Sequence, residues 1–140
     1  MRAMIAILTA AVLAACAPQA NAPDPNEAAA PAGGKAYKMA SAIGIGDIII
    51  GDNTLQTSDG QQIPFKLVEE GVYLFPLSPS QLTNGENFCF SKPVSYFTWH
   101  LHAEGLWVMN VGDWLDPPKR PDANTWAADG GCGLFTYKPV

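Results

Sequence analysis

The chain has 140 residues, 48% hydrophobic and 15% charged, with a formal net charge of −5. That composition excludes an intrinsically disordered chain and suits one small domain with additional segments. The acidic balance excludes a nucleic-acid-binding face, because neutralising phosphates needs a basic surface, and Lys119-Arg120 is the one adjacent Lys/Arg pair.

Residues 1–15 begin with the amino group and Arg2, continue as an apolar run from Ala3 to Ala15, and end in small residues. This is the architecture of a secretion signal. As a helix, the apolar run rises about 20 Å against about 30 Å of hydrocarbon, so it is expected to address the chain and not to anchor it. It closes on Leu13-Ala14-Ala15-Cys16, which resembles the lipobox of bacterial lipoprotein precursors: Leu, two small residues, then Cys. The resemblance spans residues 1–17. It implies that the Cys16 thiol receives a diacylglyceryl group, that the signal is cut just before it, and that Cys16 heads the mature chain with an acylated amino group. Each buried acyl CH2 contributes about 0.8 kcal/mol, so two or three chains hold a membrane firmly where one does not. Ala17, not Asp, follows the cysteine. In Gram-negative members of that family this goes with the outer membrane, so the resemblance implies a lipid anchor on its periplasmic face. The competing reading is an ordinary signal cut after an Ala-x-Ala site, with Cys16 incidental. No cofactor beyond the covalent lipid is expected.

Residues 16–35 hold the expected lipidated end followed by APQANAPDPNEAAAPAGGK, which lacks aromatic and β-branched residues. Such a segment cannot bury enough surface to order itself, and it reads as a tether reaching between about 25 Å as coil and about 60 Å extended. All fourteen Phe, Trp and Tyr fall between Tyr37 and Tyr137, which places the globular domain over residues 36–140.

Within that domain short apolar or alternating runs are separated by turn signals, the pattern of an all-β fold. Strands are expected over Ile43 to Ile50, over the alternating Ile63, Phe65 and Leu67, over Val72 to Leu77, and over Phe88 to Phe90. Asp59-Gly60 reads as a two-residue hairpin turn, Glu69-Glu70-Gly71 and Asn84-Gly85 as further turns, and Ser78-Pro79-Ser80-Gln81-Leu82 as one capped helical turn. Val94 to His102 and Leu106 to Val111 form a hairpin across Ala103-Glu104-Gly105, and Cys132 to Tyr137 supplies the last strand. About eight strands in meander order predict a small antiparallel barrel or a two-sheet sandwich, with the barrel preferred.

With Cys16 spent on lipid, Cys89 and Cys132 remain as an even pair in an oxidising compartment, and a disulfide is expected. On a strand, His100 and His102 share one face about 7 Å apart, a spacing that chelates Zn with a third ligand such as Glu104 or Asp113. The plainer reading makes them partly exposed imidazoles alternating with buried Trp99 and Leu101. Asp113-x-x-Asp116 beside two prolines reads as a solvated loop and not as paired catalytic carboxylates. There is no Gly-x-Ser-x-Gly elbow and no phosphate-cradling loop, so catalysis is not expected.

The segment Gly112 to Gly131 is long for a loop and carries Trp114 and Trp126, three prolines and Lys119-Arg120. Aromatic and basic groups on a stiffened loop suit recognition. The alternative folds both tryptophans back to plug one end of the barrel. The expected function is a membrane-anchored lipoprotein whose β domain binds an envelope protein or cell-wall ligand without catalysis, through Trp114, Lys119, Arg120 and Trp126. Two others stand beside it. One is a metal-dependent role for His100, His102 and Glu104. The other is inhibition of a lysozyme-like hydrolase, since signal, lipidated Cys, small β domain and one disulfide are similar in build to the membrane-bound lysozyme inhibitors. Their Ser-Gly-x-x-Tyr motif is only echoed by Ser58-Asp59-Gly60-Gln61-Gln62-Ile63.

Overall fold

The structure, a computed structural model, describes residues 31–77, 82, 89 and 92–140. The lipobox, the tether up to residue 30, the helical turn beginning at Ser78, the Asn84-Gly85 turn and the Phe88 and Phe90 positions lie outside the described residues. The described chain is all-β. Its strands are β1 (Lys35–Met39), β2 (Ile48–Ile50), β3 (Thr54–Thr57), β4 (Gln62–Pro64), β5 (Lys66–Glu69), β6 (Val72–Leu74), β7 (Tyr96–Leu101), β8 (Trp107–Gly112) and β9 (Gly133–Pro139). They form one antiparallel sheet in the order β4-β3-β2-β1-β9-β8-β7-β6-β5.

This order is a meander curled into a nearly closed barrel, with the first and last strands paired through Met39↔Tyr137 and Tyr37↔Pro139. The sheet's two ends, β4 and β5, are separated in the chain by Phe65 alone. Phe65 still donates its amide to the Asn53 carbonyl at 2.8 Å, one step beyond the Thr54↔Pro64 pair, whereas Lys66 already pairs with Leu74. One bent strand thus serves both neighbours. Counted so, the barrel has eight staves, an even number that lets β9 meet β1 antiparallel.

Glycines make the turns. Gly71 and Gly105 lie at φ 75° and 81° in the β5–β6 and β7–β8 hairpin turns, a region L side chains rarely adopt. The β3–β4 turn differs from the expected two-residue connection. Thr57 donates to the Gln61 carbonyl and Gly60 to the Thr57 carbonyl, each at 3.0 Å, so the loop is Ser58-Asp59-Gly60 with Gly60 at φ 85°. That is the three-residue hairpin in which a left-handed residue follows the turn. The strand expected from Ile43 is also shortened. Positive φ at Gly46 breaks the run, Asp47 accepts the Met39 amide at 2.9 Å, and the loop turns Ile45 into the core.

Alternate positions on the strands fill the interior. Tyr37, Ile48, Leu55, Phe97, Met109, Phe135 and Tyr137 are buried there. Two aromatic groups dominate. Phe65, Tyr73, Phe75 and Phe97 form one, with Tyr73 and Phe97 stacked at 4.7 Å. Tyr37, Trp99, Trp107 and Tyr137 form the other, with the two indoles stacked at 5.2 Å and only 13° apart. Such pairs contribute about 0.5–1.5 kcal/mol beyond the area they bury.

Candidate functional site

The loop from residue 113 to 132 lies as a strap across the outer face of β7 and β8. On that face Thr98, His100, Val108 and Asn110 alternate with the inward Phe97, Trp99, Met109 and Val111. Both sets are buried, so this hairpin is covered on both sides. Asn110, 1% exposed, is the central clasp: its amide nitrogen donates to the Trp126 carbonyl at 3.1 Å, and its carbonyl oxygen accepts the Ala128 amide at 3.0 Å. A side-chain amide bonded on both ends to a loop backbone replaces the water that an outward strand face otherwise holds.

The tryptophans face inward toward the sheet, yet neither plugs the barrel. Trp126 is half-buried and stacks on His102 at 3.5 Å between ring centroids. Trp114 donates its indole N–H to the Asp129 carbonyl at 2.8 Å and lies flat over Gly112, where a Cβ would come within 2.6 Å of the ring. Both indoles therefore pin the strap to the barrel wall.

The histidines are on the expected face but in a different environment. His100 and His102 are 5% and 6% exposed, while Leu101, expected inside, is 48% exposed. The strap covers the imidazoles, and Leu101 sits at the open hairpin end. His100 Nε2 lies 2.9 Å from the Thr125 carbonyl, which can only accept, so the proton resides on Nε2 and Nδ1 is left bare. Nδ1 has no hydrogen-bond partner. His102 Nδ1 accepts the Glu104 backbone amide at 3.2 Å, so the Glu104 contact runs through its main chain. Burial holds the His100 pKa below 6.5, opposed by the hydrogen bond to Thr125 and reinforced by His102 and Arg120 nearby. Among the described residues, the group of potential metal ligands drawn within 4.8 Å is Cys89, Asp113 and Cys132, not the histidine pair with Glu104. Cys89 and Cys132 form the disulfide, Cα atoms 5.2 Å apart, and Asp113 pairs with Lys92 at 3.3 Å.

Lys119 and Arg120 form an exposed ridge on the strap, followed by buried Pro121. Arg120 Nη1 donates to Glu70 Oε1 at 2.9 Å, and its stem crosses Gly71, where a Cβ would collide with it and with the Trp99 carbonyl. Asp122 Oδ1 accepts the Asn124 amide and the Thr125 hydroxyl, both at 2.9 Å, and these bonds hold its pKa below the ordinary carboxylate value. Two shallow grooves flank the ridge. One, of about 270 Å³, runs along Lys119, Asp122, Thr125 and Asp129. The other, of about 300 Å³, runs between Arg120-Pro121-Asp122 and the barrel wall at Trp99, His100 and Trp107.

At the β3–β4 tip, Thr57 and Gln61 donate side-chain hydrogen bonds to Asp59 and hold its pKa low. Ile63, which occupies the aromatic position in the echo of the inhibitor motif, is 5% exposed in the core. The sequence reading singled out the strap's Trp and Lys-Arg residues but passed over Asn110, Glu70 and Trp107. A polar Asn inside Val108-Met109-Asn110-Val111 was the available sign that this outer face is not solvated. Comparison with protein-family models, with curated proteins and with solved structures finds no match to this chain.

Proposed function

We propose that this protein is an envelope lipoprotein held to the outer membrane by lipid on Cys16, and that its β domain is a non-catalytic binding module. The observation that carries the binding role is the strap. It is clasped by Asn110 and pinned by Trp114 and Trp126, so its Lys119-Arg120 ridge is ordered before any partner arrives. Ordering a surface in advance removes entropy that a flexible loop would lose on binding. Side chains at the centre of such a ridge, with grooves on either side, are where a partner's binding energy concentrates.

The anchor and the module are tested separately. The mature N-terminal peptide is expected to carry diacylglyceryl on Cys16, and Cys16→Ser is expected to leave the protein in the soluble fraction. An unmodified Cys16 in the mature chain would overturn the anchor. Crosslinking in the native host, with mass identification of the captured species, is expected to give a partner whose yield falls about tenfold in the Lys119→Ala, Arg120→Ala double variant. Equal capture by both forms would refute a role for the ridge.

A further inference from the structure

The groove between the strap and the barrel wall carries a combination of groups that points to one ligand class. Its apolar side is Trp107, half-buried and stacked parallel on buried Trp99, with half-exposed Leu101 beside it. Its polar side is Glu70, Arg120 and Asp122. Those polar groups are already oriented: the guanidinium by its bond to Glu70, the Asp122 carboxylate by Asn124 and Thr125. His100 adds to the wall a 5% exposed ring whose buried Nδ1 has no hydrogen-bond partner.

We infer that this groove binds an uncharged pyranose unit of a glycan, with the sugar against Trp107 and its hydroxyls turned to Glu70, Arg120 and Asp122. The inference rests on the binding-module reading and gives that module a ligand chemistry. A pyranose has one face of C–H bonds, which suits a fixed indole, and a rim of hydroxyls that each donate and accept. Carboxylates take the donors and the guanidinium supplies donors in return. Charge decides against the competing ligands. Of the ridge's two cations, Lys119 lines the neighbouring groove and Arg120, in this one, is already engaged by Glu70. A phosphate or carboxylate ligand here therefore competes with that pair and lies beside the Asp122 carboxylate. A fatty chain would strip water from Glu70 and Asp122 with no hydrogen bond in return. A quaternary ammonium needs aromatic faces on several sides, whereas these two indoles lie parallel and already cover one another.

The test is an indole N–H spectrum of the full-length mature protein in a detergent without a sugar head group. The probes are chitotriose, maltotriose, inorganic phosphate and tetramethylammonium, each added to about 20 mM. Four tryptophans provide an internal control. Chitotriose or maltotriose is expected to shift Trp99 and Trp107 saturably and to leave Trp114 and Trp126 in place; which of the two binds tells the kind of glycan. Trp107→Phe is expected to weaken the response about tenfold, and Leu101→Arg, at an exposed position, to abolish it with the melting temperature unchanged. Should Trp107→Phe fail to fold, Leu101→Arg and Glu70→Gln carry the comparison. Silence toward both sugars, a response equal in wild type and Leu101→Arg, or a response to phosphate or tetramethylammonium alone would each overturn the inference. Partner capture through Lys119 that persists without sugar binding would sink this inference and leave the binding module standing. Loss of both would sink the two together.

Discussion

The two faces of the β7–β8 hairpin are both buried, and they are buried by different physics. Inside, Phe97, Trp99, Met109 and Val111 exclude water by contact alone, a force without direction that tolerates any filling of the right volume. Outside, Thr98, His100 and Asn110 are covered by a strap whose own carbonyls and amides must find partners, and the partners are side chains at fixed points. The inner face therefore answers to volume and the outer face to hydrogen-bond completeness. A barrel wall can thus carry an ordered surface loop without devoting any of its core to it.

The largest break is expected inside. Phe97, fully buried and packed against Phe65, Tyr73 and Phe75, loses about 3–5 kcal/mol of stability on Phe97→Ala, read from the shift in urea midpoint. On the outer face Asn110→Ala leaves the Trp126 carbonyl and the Ala128 amide without their partner. About 2–3 kcal/mol is expected, with faster hydrogen exchange at Ala128 and across the strap while the barrel amides stay protected. The next position along the strand, Met109, faces inward, and Met109→Leu is expected to cost under about 1.5 kcal/mol. If the neighbouring substitutions Met109→Leu and Asn110→Leu cost the same, the contrast between the faces fails.

Acid tests the outer face without mutation. The buried His100 has a pKa below 6.5, so the unfolded chain takes up the proton first. The stability associated with the neutral ring is complete above about pH 6.5 and is lost as pH falls through the lower folded value. His102, Arg120 and Asp122 are the charged or titratable neighbours that set that value. A falling melting temperature below pH 6.5, flattened in His100→Gln, is the expected result; identical profiles would place the effect elsewhere. The smallest effect belongs to the rim. The Arg120–Glu70 pair, with Glu70 89% exposed, is expected to change stability by no more than about 0.5 kcal/mol in Glu70→Gln.

Much of the barrel was legible because its causes are local. Alternating Ile63 and Phe65, the turn glycines at 60, 71 and 105, and the apolar strands after Val94 each state their own conformation. The bend at Phe65 was not. Nothing in Ile63-Pro64-Phe65-Lys66 tells that its two halves pair with different neighbours, because pairing is settled by strands elsewhere in the chain. The histidines show the same limit more sharply. Alternation put His100 and His102 on the outward side, but whether outward means water depended on a strap that begins a dozen residues later.

The sequence by itself determined an all-β meander with about eight strands, since side-chain alternation and positive-φ turns are properties of neighbouring residues. It showed no strand at Lys35–Met39 or Thr54–Thr57, however, and put Leu67 and Leu101 inside, whereas they are 63% and 48% exposed. It also marked the Lys119-Arg120 loop as a place of interest. Only the tertiary structure decided that the barrel's outer wall is dry beneath that loop, that Trp114 and Trp126 hold the loop down, and that Trp107, Glu70 and Asp122 share a groove. Those outcomes come from contacts between residues as much as fifty positions apart. Such contacts form only when the whole sheet has curled and brought them together.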